Sequence, residues 1–166
     1  MMSLDPSMRM PDADAAGPLV DALRDAGLSL AVAESLTGGL LALRITQTPD
    51  SGEVFKGGVV AYLTGVKHVL LGVPAGPVVS AACAEAMATG VARLLEADVA
   101  VATTGVAGPA TQEGNEVGTV FIGYSISGEH GSCRLNLSPA APPDHIREAA
   151  VGAALKLLDH RVRERG

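Results

Sequence analysis

The spacing of apolar positions changes along the chain and divides it into ten elements. From Gly17 to Ala26, Val20 and Leu23 share one helical face and Gly27 offers a stop, which predicts a helix. Leu28 to Ala33 is an unbroken apolar run, as in a strand buried on both faces. Thr37 to Thr48 returns to helical spacing, opened by a polar cap and closed before Pro49. Val54 to Leu63 is β-rich, and Val66 to Leu71 predicts a short helix stopped by Gly72 and Pro74. Ser80 then caps a long helix, with Cys83, Ala86, Met87, Gly90, Val91, Leu94 and Leu95 along one face.

Asp98 to Thr104 is a second buried strand, followed by a loop rich in Gly, Pro and Asn from Thr104 to Glu116. Val117 to Ser127 and Ser132 to Leu137 read as two strands joined by a turn at Gly128 to Gly131. Pro142 to Arg163 is the last helix, with Ile146, Ala149, Ala150, Ala153, Leu157 and Leu158 facing inward. The order α-β-α-β-α-α-β-β-β-α predicts an α/β fold class. The expected architecture is a three-layer α/β/α sandwich with a mixed, mainly parallel sheet. One domain over residues 16–166 is expected, after a polar, Pro-containing flexible leader over residues 1–15.

Composition narrows the function. Hydrophobic residues make up 48% and aromatic residues only 2%, so the core must be aliphatic. A net charge of −6 argues against a nucleic-acid surface. It leaves room for a small anion held by local donors. Cys83 and Cys133 match no disulfide or metal spacing, which suggests a reduced, cytoplasmic protein. His68, His130, His145 and His160 have no metal-ligand spacing, so neither metal nor cofactor is expected. No apolar run reaches the ~18 residues that would suggest a membrane span. The Ala-rich helices suggest packing against a second copy, giving a homo-oligomer.

Parallel strands joined by helices end at one edge of a sheet, and ligands of open α/β sheets bind outside that edge. Three segments follow the first three strands: Glu34 to Gly39, Tyr62 to Lys67, and Thr104 to Pro109. Thr37, Gly38 and Gly39 open a helix, whose first N–H groups suit a phosphate or an oxyanion. A partly buried Lys67 beside Ser35 would be a candidate general base. Each residue also has an ordinary role. Ser35 or Thr37 caps a helix, Lys67 is a solvated helical lysine, Tyr62 ends a strand, and the Thr104 loop is a turn.

The chain resembles the CinA C-terminal family, the nicotinamide-nucleotide amidases, across about nine-tenths of its length. The resemblance rests on Ala33-Glu34-Ser35-Leu36-Thr37-Gly38-Gly39, on Gly57-Gly58-Val59-Val60-Ala61-Tyr62 with Lys67, and on Leu71-Gly72-Val73. It continues through Val79-Ser80, Gly105-Val106-Ala107-Gly108-Pro109, Val117-Gly118-Thr119-Val120 and Ile146-Arg147. It implies a stand-alone amidohydrolase that turns nicotinamide mononucleotide into nicotinate mononucleotide and ammonia without a metal. By position, Ser35 would be the nucleophile, Lys67 the base and Tyr62 their support. Thr37, Gly38 and Gly39 would supply backbone donors, Thr104, Gly105 and Gly108 would line the substrate loop, and Arg147 would meet the phosphate. The partner implied is a small pyridine nucleotide. The family's Cys is Leu36 here, its Asn is Thr64 followed by Gly65, and its Pro is Glu116. These departures keep open a second role, a pyridine-nucleotide-binding module with impaired catalysis.

Overall fold

The computed structural model describes residues 16–165; the expected leader over residues 1–15 lies outside them. Ten helices and strands alternate much as the spacing predicts. They are α1 (Gly17–Ala26), β1 (Leu30–Glu34), α2 (Leu40–Thr46), β2 (Phe55–Val60), α3 (Thr64–Leu71), α4 (Ala81–Leu95), β3 (Val99–Gly105), β4 (Thr119–Ile126), β5 (Glu129–Asn136) and α5 (Pro143–Arg163). A single 3-10 turn, Ser51–Glu53, precedes β2.

The strands form one five-stranded sheet in the order β2-β1-β3-β4-β5. β1 pairs in parallel with β2 and β3, whereas the β3–β4 and β4–β5 pairs are antiparallel. The sheet is therefore mixed, with four strands running one way and β4 reversed. Register puts Glu34 beside Val60 on one side and Thr103 on the other, so the first three strands end at a common edge.

Side chains on the two central strands sort by face with a period of two. Leu30 and Val32 of β1 and Val99 and Val101 of β3 point into a core with α1, α2 and α5. Ala31, Ala33, Ala100 and Ala102 point the other way, under α3 and α4. Alanine on that face lets α4 lie close to the sheet. Its tightest approach is at Gly123, where a Cβ would sit 2.1 Å from the Ala84 carbonyl oxygen. The outer face of α3 is apolar yet solvent-facing: Val66, Val69 and Leu70 are all exposed.

Three sequence expectations change. The β4–β5 turn is two residues, Ser127 and Gly128, both with positive φ, so β5 begins at Glu129 rather than Ser132. A Ser-Gly pair suits this tight hairpin, whose twist matches its strands. On α5 the buried set is Ile146, Ala150, Val151, Ala154, Leu155, Leu158 and Val162, and Ala149 is exposed. Small alanines on every side had blurred that stripe. Finally, α2 starts at Leu40, not Thr37. Gly38 and Gly39 have φ of 60° and 104°, which a helix cannot accept.

Candidate active site

β1 ends at Glu34, and the chain turns through Ser35 to Gly39 before α2 begins. The Glu34 side chain is buried, with 1% exposure. Its carboxylate accepts N–H bonds from Gly39 at 3.1 Å, Leu41 at 3.0 Å and Ala42 at 2.9 Å. The protein thus supplies its own anion to the start of α2. This corrects the expectation that Gly38 and Gly39 present free donors there. The Gly38 N–H is also used, donating to the Ser35 carbonyl at 3.1 Å. Among the described residues, the N–H groups of Leu36 and Thr37 pair with no carbonyl.

The Glu34 main chain links the turn to Lys67. Its carbonyl accepts from Ala61 N–H at 2.8 Å, and the Ala61 carbonyl accepts from Lys67 Nζ at 2.7 Å. Lys67 Nζ also donates to the Tyr62 carbonyl at 3.1 Å. The Lys67 side chain is 1% exposed, a rare placement for a lysine. Burial holds its pKa below the usual lysine value, against smaller opposing pulls from Cys83 and Glu113. A neutral amine has two hydrogens and one lone pair. The two carbonyls take both hydrogens, which leaves the lone pair free to accept a proton.

Ser35 and Lys67 line one cleft of about 120 Å³, together with Leu36, Tyr62 and the backbone from Thr104 to Gly108. The three strand-end segments do converge, as the topology requires. Ser35 N–H donates to the Thr103 carbonyl at 3.0 Å, which pins the turn to β3. No hydrogen bond joins Ser35 to Lys67. Such contacts often tighten only when substrate is bound.

Of the other expected site residues, Tyr62, Thr104, Gly105 and Gly108 line this cleft. Tyr62 contributes its carbonyl, while its ring stands at the rim, 64% exposed. Thr37 is buried, and its hydroxyl is 2.7 Å from the Thr103 hydroxyl. The Thr104 hydroxyl donates to the Val78 carbonyl at 2.6 Å. Gly105 and Gly108 line the cleft, and a Cβ at Gly105 would meet the Thr119 oxygen at 2.5 Å. Arg147 does not line the cleft. Its Nε donates to the Leu36 carbonyl at 3.1 Å and its Nη1 to Asp144 at 2.8 Å, tying α5 to the Ser35 turn. Arg44, which is buried, ties α2 to α5 through Glu148 at 2.7 Å.

Three features escaped the sequence reading. One is the Glu34 cap, for which an acid just before a Gly-Gly helix start was the available signal. Another is the Val78–Val79 wall of the cleft, and the third is Glu113, which accepts both N–H groups of that wall. Cys83 is buried as expected, and burial pushes its thiol up to about 11, so it stays protonated at neutral pH. Among the described residues, no cluster of His, Cys, Asp or Glu could hold a metal ion.

Comparison with known proteins identifies the family of the chain. The family model for the CinA C-terminal domain matches residues 12–162. A putative competence-damage inducible protein of Desulforamulus reducens is 44% identical over 143 residues, covering 83% of this chain and 34% of that protein. A CinA-like protein of Frankia casuarinae is 43% identical over 147 residues, covering 86% and 34%. The chain spans about a third of the length of these curated relatives. Among solved structures, a competence-damaged protein (CinA) superfamily protein from Klebsiella pneumoniae superposes with a TM-score of 0.88 at 29% identity, covering 93% of this chain and 99% of that one. The competence/damage inducible protein CihA from Agrobacterium tumefaciens gives 0.83 at 32% identity, covering 95% and 97%. With most of its length matched by the family model and by relatives of this identity, the chain belongs to the CinA C-terminal domain family.

Proposed function

We propose that the chain is an amidohydrolase that converts nicotinamide mononucleotide to nicotinate mononucleotide and ammonia. The observation that carries this reading is the buried Lys67 amine, held by two carbonyls in the cleft that Ser35 lines. Ser35 Oγ attacks the carboxamide carbon while Lys67 takes its proton. The N–H groups of Leu36 and Thr37, which follow the nucleophile and have no carbonyl partner among the described residues, would receive the developing oxyanion. The tetrahedral species then expels ammonia, which receives the proton from Lys67. Water, deprotonated by the same amine, releases the acid and restores Ser35. Because burial favours the neutral amine, the base is ready nearer neutral pH than an exposed lysine would be.

Leu36 and Thr64 depart from the family pattern in side chains that this mechanism does not use. Leu36 lines the cleft beside Ser35, is 4% exposed and belongs to the core cluster. Thr64 is solvent-facing at the first position of α3. Neither removes a group that the mechanism uses, so the catalytic reading is preferred to a binding module. Ammonia release tests the substrate. Nicotinamide mononucleotide should turn over and free nicotinamide should not. Absence of ammonia from the nucleotide after prolonged incubation with folded protein would refute the proposal.

A further inference from the structure

The loop between β3 and β4 folds into a small clip over the cleft. Gln112 and Asn115 exchange backbone hydrogen bonds of 3.1 and 2.8 Å, enclosing Glu113 and Gly114. Both enclosed residues have positive φ, 52° and 76°, as in the tight two-residue turns of hairpins. A glutamate accepts that conformation with difficulty, and the turn aims its side chain back at the wall of the cleft. The Glu113 carboxylate accepts from Val78 N–H at 3.1 Å and from Val79 N–H at 2.9 Å. The carbonyls of the same two residues are held as well. Thr104 Oγ1 donates to Val78 at 2.6 Å and Asn115 Nδ2 to Val79 at 3.4 Å.

We propose that Glu113 is a positioning residue of this cleft, fixing the Val78–Val79 wall that faces the same space as the Lys67 amine. The wall and Lys67 line the same space. Among the described residues, the titratable groups acting on Lys67 are Cys83, from α4, and Glu113, from the clip. On α3 itself, the neighbouring His68 ring is engaged 2.7 Å from the Val73 carbonyl. Cys83 stays protonated across the neutral range, its thiol pushed up to about 11. Glu113 is therefore the anion acting on the amine there. It favours the ammonium form and opposes the effect of burial. Without it Lys67 would lose its proton at lower pH, and the wall would lose two of its four tethers.

The catalytic meaning of this assignment rests on the Ser–Lys reading, but its test does not. The chain has three lysines, Lys56, Lys67 and Lys156, so Lys67 can be followed alone by NMR titration of labelled lysine in substrate-free protein. Glu113→Gln should move the Lys67 midpoint down. Glu113→Asp keeps the charge on a shorter arm. It should leave the midpoint near wild type while raising KM several-fold through the loosened wall. In the amidase assay, the acid limb of kcat/KM should move down with the Lys67 midpoint in Glu113→Gln alone. A shifted midpoint without amidase activity would support the assignment and refute the proposed reaction. An unchanged Lys67 midpoint in folded Glu113→Gln, or identical behaviour of the two variants, would overturn the assignment.

Discussion

Replacing Glu34 by Ala removes the anion at the start of α2 and leaves three N–H groups, those of Gly39, Leu41 and Ala42, without a partner. A buried donor stripped of its acceptor costs about 1–3 kcal/mol. Three such losses are not additive, because the shortened side chain leaves room for water. The expected destabilisation is about 3–5 kcal/mol, near the upper end of single substitutions. For a domain of this size that lowers Tm by roughly 10 °C. Glu34→Gln keeps one oxygen acceptor and the side-chain volume, but turns an amide N–H2 toward main-chain donors. It should cost about 2 kcal/mol. Thermal and urea unfolding followed by circular dichroism measure both variants. In the amidase assay at a temperature where each is folded, kcat should fall more than KM rises, because the turn carries both Ser35 and the Leu36 N–H. A Glu34→Ala protein melting within about 2 °C of wild type would refute the cap as the anchor of this turn.

The remaining predictions concern charge and packing. Lys67 has a depressed folded-state pKa, so its stabilising contribution is complete above the unfolded value of 10.5 and is lost as pH falls through the folded one. Urea midpoints of wild type should therefore rise relative to Lys67→Met between neutral pH and pH 10.5; parallel curves would contradict this. Cys83 works in the opposite sense, its contribution being lost as pH rises from 9.0 to about 11, and comparing proteins that both keep Cys83 largely cancels it. A Cβ at Gly90 would stand 2.1 Å from the Leu71 carbonyl oxygen, so Gly90→Ala should cost about 3 kcal/mol by forcing α3 and α4 apart. Gly152, in α5, has nothing within 4 Å of a Cβ, and Gly152→Ala should be neutral or stabilising by about 0.5 kcal/mol. Equal melting temperatures for the two alanine variants would refute the close α3–α4 approach.

Much of the fold was legible because apolar spacing and helix signals agree. Gly27 ends α1 with φ of 66°, and the Ser80 hydroxyl accepts from Cys83 N–H at 3.1 Å to open α4. Convergence of Ser35, Lys67 and the Thr104 loop followed from strand order alone. What stayed hidden depended on side chains meeting across sequence distance. Nothing local reveals that the Thr37 hydroxyl meets that of Thr103, 66 positions away. Arg147 reads as a phosphate ligand by its position in the family pattern, yet it reaches the Leu36 carbonyl 111 residues earlier. The start of α2 was misread because Thr37 looks like a cap, whereas the capping group is Glu34, outside the helix. Alanine-rich α5 gave a blurred stripe because small residues are tolerated at both buried and exposed positions.

The Ser–Lys mechanism is tested most directly by ammonia release from nicotinamide mononucleotide in three folded proteins: wild type, Ser35→Ala and Lys67→Ala. It predicts turnover in wild type, with rates at least ~100-fold lower in each variant, as expected when a nucleophile or its base is removed. A Ser35→Ala or Lys67→Ala protein that releases ammonia at the wild-type rate would contradict it.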